Sequence, residues 1–376
     1  MADQEDRFQA LMQSDLFKSM RKAHGSSIIT QADLYPIQRV PRIPTGIFFL
    51  DYALGGGFPA GRVNIVWGNK STGKSVICTR TLASAQRLCA NCYTSAWVDP
   101  DGEIFRCRCK NFREHVCAYL DVEGTWDQEW AKLMGVDPAR TLLSVPEHAE
   151  QSLDIAESLL RSGEVDLLIL DSIAFLTPAK EIEESAGKAL QAEQARVLGR
   201  GIRKFVSALN YLGNRNNRRP TILFTNQIRM KVGIMFGNPE TQPGGNAPGF
   251  SATCEVKTYG GKYKMDEVTG QPLYADFSFR VEKNKSSGAK IEGEWRLILT
   301  DGGENKKKGE IFEEPPMVDM GIKVGLIEKK GSNWACFAEE YKKKGDIVER
   351  LLTDPDFNLL YRNALMRVLC NDLPTT

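Results

Sequence analysis

Gly68-Asn69-Lys70-Ser71-Thr72-Gly73-Lys74-Ser75 fits the pattern GxxxxGK[ST] in full. A β-prone run, residues 63–67, precedes it and a helical pattern follows. In that setting glycines let backbone N–H groups wrap a phosphate chain, and the helix N-terminus adds partial positive charge. The spacing puts all eight residues, Gly68, Asn69, Lys70, Ser71, Thr72, Gly73, Lys74 and Ser75, against the phosphates of a nucleotide. Lys74 would meet the β and γ groups and Ser75 would hold Mg2+. A glycine-rich turn arising by chance would need neither the strand before it nor the helix after it.

Outward from this loop, three more buried-strand candidates appear at 117–121, 167–171 and 221–225, with helical patterns at 151–161 and 193–212 between the later ones. Strands alternating with helices predict an α/β fold with a mainly parallel sheet covered on both faces. After Phe250 come strands without intervening helices (254–258, 276–282, 293–299), which would extend the sheet. Residues 5–24 read as a helix ending at His24-Gly25. A β-prone stretch (26–30) follows, and Pro36, Pro41 and Pro44 then mark a linker. The polar, glycine-rich segment 302–308 reads as a boundary, and the tail carries two short helical patterns, the last at 357–369. The expected division is 1–40, 41–300 and 301–376, with no internal repeat.

Ligands of open α/β sheets collect at the C-terminal ends of the strands. Asp171 ends one strand there and suits the Mg2+ shell. Glu123 lies two residues beyond the strand ending at Asp121. Spacing alone leaves it either a polariser of attacking water or an ordinary loop carboxylate. Asn226-Gln227 follows the fourth strand at the same edge, where an amide can contact a γ-phosphate. The next segment, Ile228 to Ala247, is too glycine-rich and polar for regular structure and long for a loop in a compact domain. Between Gln194 and Pro239 there is no acid, while Arg196, Arg200, Arg203, Lys204, Arg215, Arg218, Arg219, Arg229 and Lys231 are all basic. The window reads either as a polyanion-binding surface or as a solvated helix face followed by a basic turn.

Bulk composition narrows the class. The chain has 376 residues, 42% of them hydrophobic, enough for a large core plus small additional units. Its 49 Lys+Arg against 48 Asp+Glu make net charge uninformative about nucleic acid. No stretch approaches the ~18 consecutive apolar residues of a membrane span, and acids stand where a signal peptide would be basic. The expectation is a cytoplasmic protein with no membrane partner. Its nine cysteines would then be metal ligands or core thiols rather than disulfides.

The run from Asn226 through Ile228, Arg229, Met230, Lys231 and Phe236 to Thr241, followed by Gly244-Gly245-Asn246-Ala247, resembles the second DNA-binding loop of the bacterial RecA family almost word for word. Residues 165–178 (VDLLILDSIAFLTP) and 46–61 share the likeness, which runs with gaps from about Arg7 to Leu369. The resemblance implies a RecA-type ATPase core, an N-terminal helix and strand that dock on a neighbouring subunit, and a small C-terminal α/β domain. It further implies an ATP-dependent recombinase, a DNA-dependent ATPase that forms helical filaments on single-stranded DNA and pairs it with double-stranded DNA. By the same resemblance Glu123 is the catalytic carboxylate, Gln227 the γ-phosphate sensor, and Asp127 and Trp130 the adenine contacts. Arg196 and Arg203 would follow a first DNA loop at 183–194, and Phe250 would be an interface residue. Lys283 and Lys285 would reach across the subunit interface to the neighbour's ATP.

This chain departs from the family's pattern in four places. Trp130 stands where Tyr is usual, Asn69-Lys70 where Pro-Glu is common, Pro248-Gly249 where Leu-Lys is common, and the first loop shares little beyond Lys188. A divergent phage- or plasmid-borne version would carry such changes. The family also passes directly from Gln86-Arg87 to the strand at Cys117, whereas this chain inserts residues 89–116. The insert holds Cys89-Ala90-Asn91-Cys92, fourteen further residues, and Cys107-Arg108-Cys109, with Asp99-Pro100-Asp101-Gly102 as a turn. Four thiols in two tight pairs suit tetrahedral, structural Zn2+, with His115 as a reserve ligand; reduced surface cysteines are the other reading. Cys117 reads as core.

Three rivals deserve weight. A zinc-containing branch-migration ATPase carries its cysteines at the N-terminus and a KNRFG signature, while this chain reads Lys283-Asn-Lys-Ser-Ser-Gly288. A non-hydrolysing scaffold would not need Lys74, Glu123 and Asp171 together, and a hexameric helicase would lack strand exchange.

Overall fold

A computed structural model describes residues 9–24, 40–94, 97–98, 104–105, 107, 109, 112–183, 191–216, 218–230, 240–245, 247–286, 291–302, 304 and 306–370. Helix α1 spans Asp15–His24; the predicted β-prone stretch 26–30 lies outside the described residues. The main sheet has nine strands. They are β1 (Val63–Gly68), β2 (Cys117–Asp121), β3 (Thr141–Ser144), β4 (Leu167–Asp171), β5 (Thr221–Gln227), β6 (Cys254–Met265), β7 (Pro272–Asn284), β8 (Glu292–Ile298) and β9 (Ile311–Phe312). Their spatial order is β9-β8-β7-β6-β1-β5-β4-β2-β3. From β6 to β3 the pairs are parallel. β7, β8 and β9 add antiparallel strands at the other side. The family-like α/β architecture with a mostly parallel sheet is therefore present.

Parallel strands sandwiched by helices are apolar on both faces, and Leu167–Asp171 is buried at every position. One face carries α2 (Phe48–Leu54) and α3 (Lys74–Ala85), packed with Ile77, Leu82, Tyr119, Val256 and Trp295. The other carries α5 (Ala149–Ser162) and α6 (Gln191–Asn216), with Leu153, Ile202, Phe205 and Phe224 between them. Short α4 (Gln128–Leu133) follows β2. A third apolar cluster joins α7 (Glu314–Lys323), α8 (Lys344–Thr353), α9 (Pro355–Leu369) and the three-stranded sheet β10 (Ile327–Lys330), β11 (Asn333–Cys336) and β12 (Glu339–Tyr341). Phe48 of α2 belongs to it, and the buried Glu313 carboxylate accepts the Phe48 N–H at 3.0 Å.

Several elements run past their predicted bounds. The fourth strand does not end before Asn226-Gln227 but includes both, because Trp67 and Gly68 of β1 pair with them in register. The helix at 193–212 extends to Gln191 and Asn216, so the predicted first loop at 183–194 ends no later than residue 190 and the predicted basic turn begins inside the helix. The segment after Gln227 is not wholly irregular. Arg229 and Met230 pair antiparallel with Thr241 and Glu240, and Ala247–Ser251 forms a short helix. Edge strand β3 has no sequence pattern that marks it, since its central residues, Leu142 and Leu143, are half exposed and lack a buried strand's apolar run. Among the described residues no helix is long and apolar enough to cross a membrane.

Candidate nucleotide and nucleic-acid site

The loop after β1 turns through Gly73, whose φ of 82° is left-handed and caps α3. A Cβ there would fall 2.7 Å from the Trp295 ring, so both conformation and space call for glycine. Thr72 bridges to the Asn69 carbonyl (2.9 Å) and the Thr258 hydroxyl (2.7 Å), pinning the loop to β6. Lys74 is buried; its Nζ donates to the carbonyls of Asn69 (2.6 Å) and Gly68 (3.3 Å). Desolvation lowers its pKa, opposed by the nearby carboxylates of Asp171 and Glu123.

Those carboxylates arrive from neighbouring strands. Register pairs Asp121 with Asp171, so β2 and β4 end level. Asp171 is buried and accepts from the Tyr119 hydroxyl (2.6 Å) and the Thr225 hydroxyl. Glu123, in the exposed bend beyond β2, accepts from the Ser172 hydroxyl at 2.9 Å and lies 3.5 Å from Gln227 Nε2. Asp121 turns inward and accepts the Trp126 N–H at 2.7 Å. Lys74, Asp171, Glu123 and Gln227 thus meet at one edge of the sheet. Ser172, Tyr119, Thr225 and Thr258 were missed, because hydroxyls that act on a neighbouring strand leave no local spacing signal.

Asp127 caps α4, accepting the Trp130 N–H at 3.0 Å. The Trp130 ring is partly buried against the core, with Lys308 Nζ 5.8 Å from its centroid. The loop bearing Lys308 packs on α4 through Gly309. The Ile228 N–H donates to the Gly68 carbonyl at 3.2 Å, fastening the start of the basic loop to the phosphate loop.

The basic window is less bare of acid than its sequence implies. Arg196 pairs with Glu193 one helical turn back (2.5 Å), Lys204 with Glu157 of α5 (2.6 Å), and Arg218 approaches Glu164 at 3.9 Å. Arg200 and Arg203 are exposed on α6. The side chains of Arg215, Arg229, Met230, Lys231, Phe236 and Asn246 lie outside the described residues. Phe250 is 76% exposed. Lys283 donates to the Gly249 carbonyl (2.5 Å) and pairs with Glu255 (3.4 Å), while Lys285 is exposed at the end of β7.

In the insert, the ligand atoms of Cys89, Cys92, Cys107 and Cys109 all lie within 4.8 Å of one another. A tetrahedral zinc with bonds of about 2.3 Å needs sulfurs roughly 3.8 Å apart. Burial opposes ionisation of Cys89, but backbone N–H groups at Arg113, Cys92 and Asn91 outweigh it and bring the thiol down to about 6. His115 is not in the group: its buried ring bonds the Leu88 carbonyl through Nδ1 (3.1 Å) and meets Tyr93 edge-on. Cys117 is buried in the sheet. Trp97–Val98 pairs with Ile104–Phe105 as a hairpin whose predicted turn lies outside the described residues. Arg113 anchors the insert to the sheet through a bidentate pair with Asp166 at 2.7 and 2.5 Å.

A family model described as the RecA N-terminal domain matches residues 11–111 and 104–302. The chain is 35% identical over 330 residues to a "Protein RecA" of Brucella anthropi, covering 87% of this chain and 79% of the relative. It is 33% identical over 348 residues to that of Cutibacterium acnes (92% and 87%). It is 32% identical over 361 residues to that of Francisella philomiragia (95% and 88%). With the phosphate loop, the level carboxylates and the tethered basic loop in one α/β sheet, the chain belongs to the RecA family.

Proposed function

We infer that this protein is an ATP-dependent DNA recombinase, a DNA-dependent ATPase that assembles on single-stranded DNA and exchanges strands with a homologous duplex. Beyond membership of the family, one observation carries the reading. Gln227 touches Glu123, and the next residue, Ile228, is bonded to the phosphate loop. The stretch that would grip DNA therefore begins at the two places where a terminal phosphate is held and hydrolysed.

The donor set suits Mg2+, a hard cation that takes oxygen ligands: the Ser75 hydroxyl and the Asp171 carboxylate, the latter oriented by Tyr119 and Thr225. The ion would neutralise charge on the phosphates. Lys74 leaves the carbonyls of Gly68 and Asn69 for the β and γ phosphates, which restore its lost solvation. Backbone N–H groups from Asn69 to Ser75 line the chain of phosphates. Glu123 takes a proton from water as that oxygen attacks the γ-phosphorus and the ADP oxygen departs. Gln227 contacts the γ-phosphate and couples it to the segment 228–250; Ile228, Arg229, Met230, Lys231, Phe236 and Asn246, with Arg196 and Arg203, would bind DNA. Asp127 and Trp130 hold adenine, the indole offering a broad stacking face. Lys283 and Lys285 stabilise the neighbour's phosphates across the interface, the part an arginine finger plays elsewhere.

Residues 1–40 serve docking between subunits; Leu11, Leu16 and Met20 of that segment are exposed apolar side chains a neighbour would cover. Residues 41–300 form the ATPase core and 301–376 the C-terminal domain, whose first strand, β9, pairs with β8 of the core sheet. Cys89, Cys92, Cys107 and Cys109 hold a structural zinc that staples an insert too small to bury a core. We place the protein in the cytoplasm, where such thiols stay reduced. Joint-molecule formation between homologous single- and double-stranded DNA, with ATP, ADP and a non-hydrolysable analogue in parallel, tests the function. Products are expected with ATP and with the analogue and not with ADP; no product under any condition would leave a scaffold.

A further inference from the structure

Glu255, near the start of β6, has only 13% of its side chain exposed and stands between two parts of the machinery. Its carboxylate pairs with Lys283 Nζ at 3.4 Å and also accepts a hydrogen bond from the Gln242 side chain. The Gln242 amide oxygen in turn accepts from Asn226 Nδ2 at 3.2 Å. Asn226 adjoins Gln227, whose amide reaches Glu123. Lys283 is held on its other side by the Gly249 carbonyl at 2.5 Å. Gly249 lacks the Cβ that would stand 3.5 Å from the Glu255 carboxylate, so carbonyl and carboxylate share the ammonium in a small space. One run of polar contacts therefore joins the end of β5, the closing stem of the basic loop, and a lysine near the end of β7.

The electrostatics of this arrangement run against Lys283 acting where it stands. Two of its three donor hydrogens are engaged by its own chain, and an adjacent carboxylate cancels its charge. An ammonium so placed offers little attraction to a phosphate on another subunit and must leave both partners to reach one. Both partners are tied to the basic loop: Gly249 lies in its terminal helix, and Glu255 is bonded to Gln242 in its stem.

We propose that Glu255 parks Lys283 away from the neighbouring subunit's nucleotide, and that DNA binding draws Gln242 and Gly249 aside and releases it. This rests on Lys283 acting across the interface. DNA dependence of hydrolysis then resides partly in the Glu255–Lys283 contact, rather than only in assembly of the filament.

The test is ATP hydrolysis by the full-length chain, without DNA and at saturating single-stranded DNA, for wild type, Glu255→Gln, Lys283→Met, the double variant and Gln242→Ala. Glutamine keeps the shape and the bond from Gln242 but gives Lys283 a neutral partner, roughly half as strong. Glu255→Gln should raise the DNA-free rate about fivefold, about 1 kcal/mol on the barrier, and leave the DNA-saturated rate within about twofold. Lys283→Met should abolish DNA-dependent hydrolysis, and the double variant should match it, which a general loosening of the fold would not produce. Gln242→Ala, which cuts the relay, should lower the ratio of DNA-saturated to DNA-free rates about threefold. If Lys283→Met is inactive while Glu255→Gln leaves the DNA-free rate unchanged or lower, the parking role is overturned and the interface role stands. If Lys283→Met hydrolyses like wild type, the interface role falls and the parking role with it. An unchanged ratio in Gln242→Ala overturns the relay.

Discussion

Replacing Glu123 by glutamine separates hydrolysis from everything that precedes it. The side chain is exposed and accepts one short hydrogen bond, from the Ser172 hydroxyl at 2.9 Å; its contact with Gln227 is at 3.5 Å. Glutamine has the same length and keeps an oxygen for Ser172, so the fold should lose no more than about 0.5 kcal/mol, as for most surface substitutions. What disappears is the proposed proton acceptor. Loss of a general base costs about 10²- to 10⁴-fold in rate, or about 2.7–5.5 kcal/mol on the barrier. The chemical effect exceeds the folding effect several times over, so turnover reports chemistry. Phosphate release at saturating single-stranded DNA should fall at least about 100-fold, while ATP-dependent retention of fluorescent single strands persists. Lys74→Ala should lose both, because the triphosphate is no longer held. Turnover by Glu123→Gln within tenfold of wild type would refute the assignment of Glu123 as the base.

Freshly purified protein should carry one zinc per chain. Replacing Cys89 and Cys109 together by serine should abolish it, whereas zinc-free protein with four freely alkylated thiols would end that reading. Arg113→Leu leaves the Asp166 carboxylate, 5% exposed, with the Val116 N–H at 2.9 Å as its hydrogen-bond partner among the described residues. A deserted buried charge costs about 3 kcal/mol, so the thermal midpoint should drop several degrees; an unchanged midpoint would show that Asp166 is solvated. Asp51 is buried, and desolvation raises its carboxyl to about 7 against the N–H bonds of Thr45 and Gly46. A raised acid binds its proton more tightly in the folded state, so its contribution is largest below about pH 4 and is lost as pH climbs toward 7. Wild type should therefore gain on Asp51→Asn as pH falls from 7 to 5, by up to about 1.4 kcal/mol per unit, read from parallel denaturant titrations; a pH-independent difference would show Asp51 already ionised. Affinity for single strands should fall with salt by about 0.7 log units per log unit for each phosphate contacted.

Much of the architecture could be read because it is written in local runs. Leu167-Leu-Ile-Leu-Asp171 is apolar enough to demand burial on both faces and ends in a carboxylate, which sets both a strand and the edge where ligands gather. The phosphate loop likewise needs its glycines in sequence. What escaped was whatever depends on tertiary neighbours. Strand β3 is half exposed and short, so it has no run to notice. The inclusion of Asn226 and Gln227 in β5 follows from hydrogen bonding to β1, not from their own propensity. Arg196 and Lys204 stand in a stretch of sequence without acids, yet their carboxylates, Glu193 and Glu157, come from outside it. His115 could be listed beside the cysteines by proximity in sequence, yet its ring turns to Leu88 and Tyr93. Glu255 carried no motif at all; only the sheet brings it to Lys283.

In the proposed mechanism the occupied γ-phosphate position, felt at Gln227, decides whether the adjoining loop holds DNA. The most direct measurement is the equilibrium affinity of the chain for a fluorescent single strand at fixed salt with no nucleotide, with ADP and with a non-hydrolysable ATP analogue. The analogue should tighten binding by tenfold or more over the other two, and Gln227→Ala should erase that difference. Equal affinity in all three states would contradict that coupling.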